Sequence, residues 1–177
     1  MVNREIQMIG NAALLELPGK VAFLSSRRVT PTAVMRCYDW ATEVRDGAAG
    51  IRALPCVIGG FQSALEKDVL RFLLRGKVPV VMVLARRLWC EVPEELRVPV
   101  GEGRLLIISP VSAARASAAS AMSRNRWILE HCDEVVLGSL DPNGGLAKLV
   151  ATCSSARIIR LYEGAFSKST KENHHEP

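Results

Sequence analysis

A series of short, dense apolar runs constrains this chain more than any other feature: Val21–Leu24, Cys56–Ile58, Val78–Leu84, Leu105–Ile108, Val135–Leu137 and Ile158–Leu161. These runs do not alternate apolar with polar residues, and each lies near Gly, Pro or a polar cluster, as strands buried on both faces do. Between the first two runs, Val34, Cys37, Tyr38, Ala41 and Val44 recur at helical spacing; between the second and third, so do Leu65, Val69, Phe72 and Leu73. The chain therefore opens β-α-β-α-β, with Gly47 and Gly76 standing where the two helices should stop. Strands alternating with helices give a parallel sheet covered on both sides and linked by right-handed crossovers. The expected architecture is a three-layer α/β/α fold around a mainly parallel sheet of about five or six strands.

The later half is less regular. The segment from Glu91 to Gly103 carries Pro93, Pro99, Gly101 and Gly103 and reads as a loop. From Ser112 to Ser123 alanines favour helix and serines favour caps and turns, so this stretch is compatible with a helix and with a mobile loop. Arg126 to Cys132 should be a helix leading into the strand at Val135. Residues 1–18 read as an N-terminal extension, 19–163 as the folded domain and 164–177 as a disordered tail, without an internal repeat or a second domain.

A length of 177 residues suits one core-bearing domain, and 9 Pro and 13 Gly exclude a collagen-like or low-complexity chain. Charged residues break every apolar run before the roughly 18 residues a bilayer crossing needs, so no membrane partner is expected. Arg4 and Glu5 precede a patch with no small-residue cleavage site, which makes the cytoplasm the expected location. Cys37, Cys56, Cys90, Cys132 and Cys153 are odd in number and far apart, with no CxxC, and are expected to be reduced and mostly packed. His174 and His175 alone make a poor metal site, so neither a metal nor a cofactor is expected. The net charge of +5 lies ahead of the tail, where Lys168 and Lys171 balance Glu172 and Glu176. It is compatible with phosphate-bearing partners and equally common among proteins that bind none.

In an open parallel sheet, ligands bind beyond the carboxyl ends of the strands. The first strand is followed there by Ser25 to Thr32, where Ser26, Arg27, Arg28 and Thr30 offer hydroxyls and guanidinium donors beside a helix start. A solvated loop with a capping Thr explains the same residues equally well. The second strand runs into Gly59-Gly60-Phe61-Gln62-Ser63, which matches neither GxGxxG nor GxxxxGK[ST]. Asp141-Pro142-Asn143-Gly144-Gly145 reads first as a tight turn in which Asp141 bonds its own backbone. In Ser123-Arg124-Asn125-Arg126, two arginines at a predicted helix start oppose the helix dipole, a conflict that an anion, or Glu130 and Asp133, would relieve. No nucleophilic triad is visible, and His131 is expected to pack or face solvent. Phe61 and Trp127 are the aromatic residues nearest these loops, with apolar neighbours suited to the core.

The segments VAFLSSRRVTP, VIGGFQSALEKDVLR, VPVVMVLA and SRNRWILEHCDEVVLGSLDPNGG, in that order, resemble the Rossmann-like core of the DNA-processing protein A (DprA/Smf) family, within the SMF/DprA–LOG superfamily. The likeness runs from about Asn11 to Arg160. It implies a non-catalytic protein that grips single-stranded DNA phosphates with Arg27, Arg28, Arg124 and Arg126, assisted by Ser26, Thr30, Asn125 and the backbone at Gly59, Gly60, Gly144 and Gly145. It further implies roles in DNA uptake and recombination, with RecA recombinase and a second copy of the chain as candidate partners. The alternative, from another class, is a sensor or phosphoribohydrolase-like domain for a nucleotide or its derivative; a third is an assembly protein with a vestigial pocket. Departures are equally specific: in the family's Ser-Gly-Leu-Ala-Arg-Gly-Ile-Asp loop the arginine is Ser63 and the aspartate Glu66, and Leu70 replaces a common histidine. The family's Ser-Gly-Ser turn reads Gly144-Gly145-Leu146. No Gly-Thr and Glu follow Gly145, so the Pro-Gly-Gly-x-Gly-Thr-x-x-Glu signature of the phosphoribohydrolases is missing, which argues against nucleotide cleavage.

Overall fold

A computed structural model describes residues 6–47, 54–153 and 157–162; the tail 164–177, with His174 and His175, lies outside the described residues. Strands and helices alternate as β2 (Val21–Ser25), α1 (Pro31–Asp46), β3 (Val57–Gly59), α2 (Ala64–Leu74), β4 (Val80–Val83), α3 (Glu94–Gly101), β5 (Leu105–Ser109), α4 (Ala118–Glu130), β6 (Glu134–Ser139), α5 (Gly145–Ala151) and β7 (Arg157–Arg160). Ahead of them stand β1 (Gln7–Gly10) and a 3-10 turn at Ala12–Glu16. All lie in one sheet of order β1-β5-β4-β3-β2-β6-β7, parallel throughout except for β1, which pairs antiparallel with β5. The fold is a Rossmann-like three-layer α/β/α sandwich. Part of the segment read as an N-terminal extension thus belongs to the sheet, as an edge strand too short and polar to stand out as an apolar run.

Period-two alternation divides the strand residues between two cores. Phe23 of β2 faces the layer of α1, α2 and α3, packing with Cys37, Ala41, Val69 and Leu73. Its neighbours Ala22 and Leu24 face α4 and α5 on the other side, with Ile128, Leu129, Leu146 and Leu149. Helix α1 starts on the Thr30 cap and stops at Gly47, whose φ of 64° is the left-handed turn glycine adopts without strain. Gly76 likewise follows the end of α2, its N–H bonding the Leu73 carbonyl.

Two segments correct the sequence reading. Glu94–Gly101 is helical, where the prolines predict a loop. Glu94 and Glu95 in its first turn complement the dipole, and burying Leu96 and Pro99 outweighs the one hydrogen bond Pro99 cannot make. The Ala/Ser-rich stretch divides at Ser117, which caps α4 in a reciprocal box with Ser120: each side chain accepts the other's backbone N–H, at 3.1 and 2.8 Å. Helix α4 therefore begins well before Arg124 and runs through it without a break.

All five cysteines are free thiols. Burial pushes Cys37 and Cys132 up to about 12 and Cys56 up to about 11, whereas Cys90 is exposed. Titration with a thiol reagent near neutral pH should label Cys90 first, while Cys37 and Cys56 react only after denaturation. Fast labelling of Cys37 or Cys56 in the native protein would contradict this packing.

Candidate functional site

The sheet order locates the site. From β2 the chain steps through β3, β4 and β5 to one side, then crosses back to place β6 on β2's other flank. Connections leave β2 and β6 in opposite directions, opening a crevice at their carboxyl ends. Three bonds stitch its loops: Ser26 N–H donates to the Ser139 carbonyl (2.9 Å), Asp141 N–H to Ser26 Oγ (2.9 Å), and Ser139 Oγ to the Arg28 carbonyl (2.7 Å). Around them lies a cleft of about 600 Å³, walled by Ser25–Arg28, Gln62, Ser63 and Glu66, by Asp141 and Gly144–Leu146, and by α4 from Ala118 to Asn125.

Arg124 forms its floor. Only 5% exposed in the middle of α4, it lays its guanidinium on Gly60, where a Cβ would stand 1.9 Å from Nη1. No residue other than glycine leaves room for this seat. Nε donates to Asn125 Oδ1 at 2.8 Å; among the described residues the other guanidinium N–H groups donate to no protein acceptor. Burial lowers the Arg124 pKa, and the charge of Glu66 raises it in opposition.

Glu66, also 5% exposed, is fully engaged elsewhere. Its Oε2 accepts the N–H groups of Gln62 (3.0 Å) and Ser63 (2.9 Å), and its Oε1 that of Ser25 (3.3 Å). Ser63 Oγ accepts Glu66 N–H in return, completing a capping box at the start of α2. One carboxylate thereby ties the loop after β2 to the turn after β3. That turn holds Phe61 at φ 46°, a left-handed conformation costing a side-chain-bearing residue about 1–2 kcal/mol. Its ring, 3% exposed, folds back over Gly59 and is closed to any stacking partner.

The structure brings together Ser26, Arg27, Arg28, Arg124, Asn125, Gly144 and Gly145 around this cleft. It takes other expected residues away. Arg126 is two positions from Arg124 on one continuous helix, hence about 200° around its axis. It lines a separate shallow pocket with Pro110, Trp127 and Glu130. The dipole conflict read into this segment does not exist, because neither arginine is at a helix start. Thr30 accepts Ala33 N–H as the cap of α1, the alternative reading of that loop. Gly59 packs beneath Phe61 and does not line the cleft. The Gly144 N–H closes its turn onto the Asp141 carbonyl at 2.9 Å, and Asp141 Oδ1 accepts Asn143 N–H at 3.0 Å, as expected of that turn. Trp127 stacks on the exposed His131 with ring centroids 3.8 Å apart.

Sequence reasoning passed over Glu66 as an organising group, although Ser63-x-x-Glu66 is a capping-box signature readable without a structure. Gln62 and Met122, which also line the cleft, carry no comparable signal.

No protein-family model matches this chain, and no curated protein matches it in sequence. Solved structures do. DNA processing protein A from Helicobacter pylori, a protein with a single-stranded DNA binding mode, superposes with a TM-score of 0.68 at 20% identity over 89% of this chain and 71% of its own. DNA processing protein A from Streptococcus pneumoniae gives 0.68 at 14% identity, over 92% of this chain and 56% of its own. The molybdenum cofactor binding protein of the phototrophic bacterium Rippkaea orientalis gives 0.54 at 12% identity, over 80% of this chain and 75% of its own. These likenesses show a shared fold.

Proposed function

We propose that the cleft between β2 and β6 binds single-stranded DNA through its phosphates and does no chemistry on it. The observation that carries this reading is the setting of Arg124: a buried guanidinium with spare donors, seated on Gly60 in the same cleft as exposed Arg27 and Arg28. The acids nearby are occupied, Glu66 by three backbone N–H groups and Asp141 by Asn143, so an incoming anion meets donors whose counter-charges are already engaged. The three N–H bonds on Glu66 commit that carboxylate to holding the two loops rather than to proton transfer in glycosidic cleavage. The fold shared with the H. pylori protein supports a DNA strand as the anion. The resemblance alone supports the remaining expectations: a RecA-type recombinase and a second copy of the chain as partners, and a role in DNA uptake or recombination.

A labelled oligothymidylate should bind at low salt and dissociate as salt rises. Replacing Arg27 and Arg28 together by Ala should lower the slope of log affinity against log salt by about 1.4, or 0.7 per lost phosphate contact on a single strand. Arg126→Ala should change nothing. No binding at low salt, or an unaltered slope in the double variant, would remove this reading. The volume of about 600 Å³ also suits a nucleotide-sized ligand. Displacement of the strand by micromolar nucleoside monophosphate would favour that alternative.

A further inference from the structure

A second groove, of about 620 Å³, adjoins the cleft and shares Gln62 and Arg124 with it. Its floor is apolar, built from Leu70, Leu74, Met82, Leu84 and Leu96 with half-buried Trp89 on one wall. Its other wall is the outer face of α2, where Lys67, Arg71 and Arg75 follow one another every four residues, about 6 Å apart along the helix. Arg86 lines the groove too, and its buried Nε has no partner among the described residues. Against these four cations the lining holds one carboxylate, Glu95. Asp68 pairs with Arg71 at 2.6 Å across an exposed contact that competes weakly with a phosphate.

We propose that the strand held in the cleft continues past Gln62 and Arg124 into this groove, its phosphates following Lys67, Arg71 and Arg75 and its bases lying toward Trp89 and the leucines. The inference rests on the binding function proposed for the cleft and extends it to the course of the strand. Continuity and charge choose this occupant. The groove opens directly from the phosphate cleft, and a regular row of cations beside an apolar wall matches a chain that is anionic along one side and aromatic along the other. The alternative occupant, an acidic amphipathic helix of another protein, matches the charge but not the continuity.

The experiment compares oligothymidylates of about 4 and about 16 nucleotides in anisotropy titrations across a salt series. Both should bind, the longer more tightly and with a steeper salt slope. Replacing Arg71 and Arg75 by Gln should lower the slope for the longer strand by about 1.4 and leave the short strand's affinity unchanged. Both side chains are exposed, so the fold should tolerate their loss; a matching circular dichroism spectrum and melting temperature check this. Equal affinity for the two lengths, or a longer strand indifferent to the double replacement, would overturn the path while leaving the cleft's function standing. An acidic helical peptide that binds the wild type, fails on the double variant and does not compete with the longer strand would overturn it as well. If neither strand binds, both proposals fall.

Discussion

Replacing Gly60 by Ala should abolish most of the proposed DNA binding without unfolding the protein. The new Cβ would stand 1.9 Å from Arg124 Nη1 and 2.2 Å from Cζ, closer than any real contact. The obstructed group is the end of a flexible side chain, so α4 and the sheet can stay in place while the guanidinium leaves its seat. The contact proposed for it with the strand then goes too, a charge-assisted loss of about 2 kcal/mol, or roughly 30-fold in affinity. Arg124→Ala should cost the same amount. The double variant should cost no more than either single one, because both remove one contact and effects on a shared group do not add. Additive losses would show that Gly60 acts otherwise, for instance through its own backbone. Normal binding by Gly60→Ala would take Arg124 out of the interface.

The layers of this fold were legible in the sequence because burial on both faces of a strand writes itself as an unbroken apolar run. Hence Val21–Leu24 and Leu105–Ile108 were placed to within a residue or two of β2 and β5. The edge strand β1 escaped for the complementary reason: Gln7 and Met8 are exposed, and its position depends on a partner far along the chain. Helix α3 escaped because two prolines weigh heavily in a local reading, whereas the burial of Leu96 and Pro99 is decided by tertiary contacts. In the site, the loops could be gathered from strand polarity alone. What local reading could not supply was helix phase. Once α4 starts from the Ser117 cap rather than near Arg126, Arg124 turns inward and Arg126 outward, and a motif that reads as a pair becomes two unrelated side chains.

Loss of the Glu66 carboxylate should cost the fold a large part of its stability. Glu66→Ala would leave the N–H groups of Ser25, Gln62 and Ser63 without their acceptor, at up to about 1–3 kcal/mol for each that water cannot reach. It would also remove the charge that favours buried Arg124 in its ionised form. Some solvent access from the cleft moderates the sum, and a net loss of about 3 kcal/mol in denaturant unfolding is expected. Glu66→Gln separates the contributions. Its carbonyl can still accept from Gln62 and Ser63, but its amide nitrogen would face the Ser25 N–H, donor against donor, so roughly half of the loss should remain. Ser63→Ala removes only the other half of the capping box and should cost about 1 kcal/mol. The carboxylate also joins the turn after β3, with its left-handed Phe61, to the loop after β2, so DNA affinity should fall in Glu66→Ala even where the protein is still folded. A Glu66→Ala protein as stable as wild type and fully active in binding would show that the two loops hold their places without it.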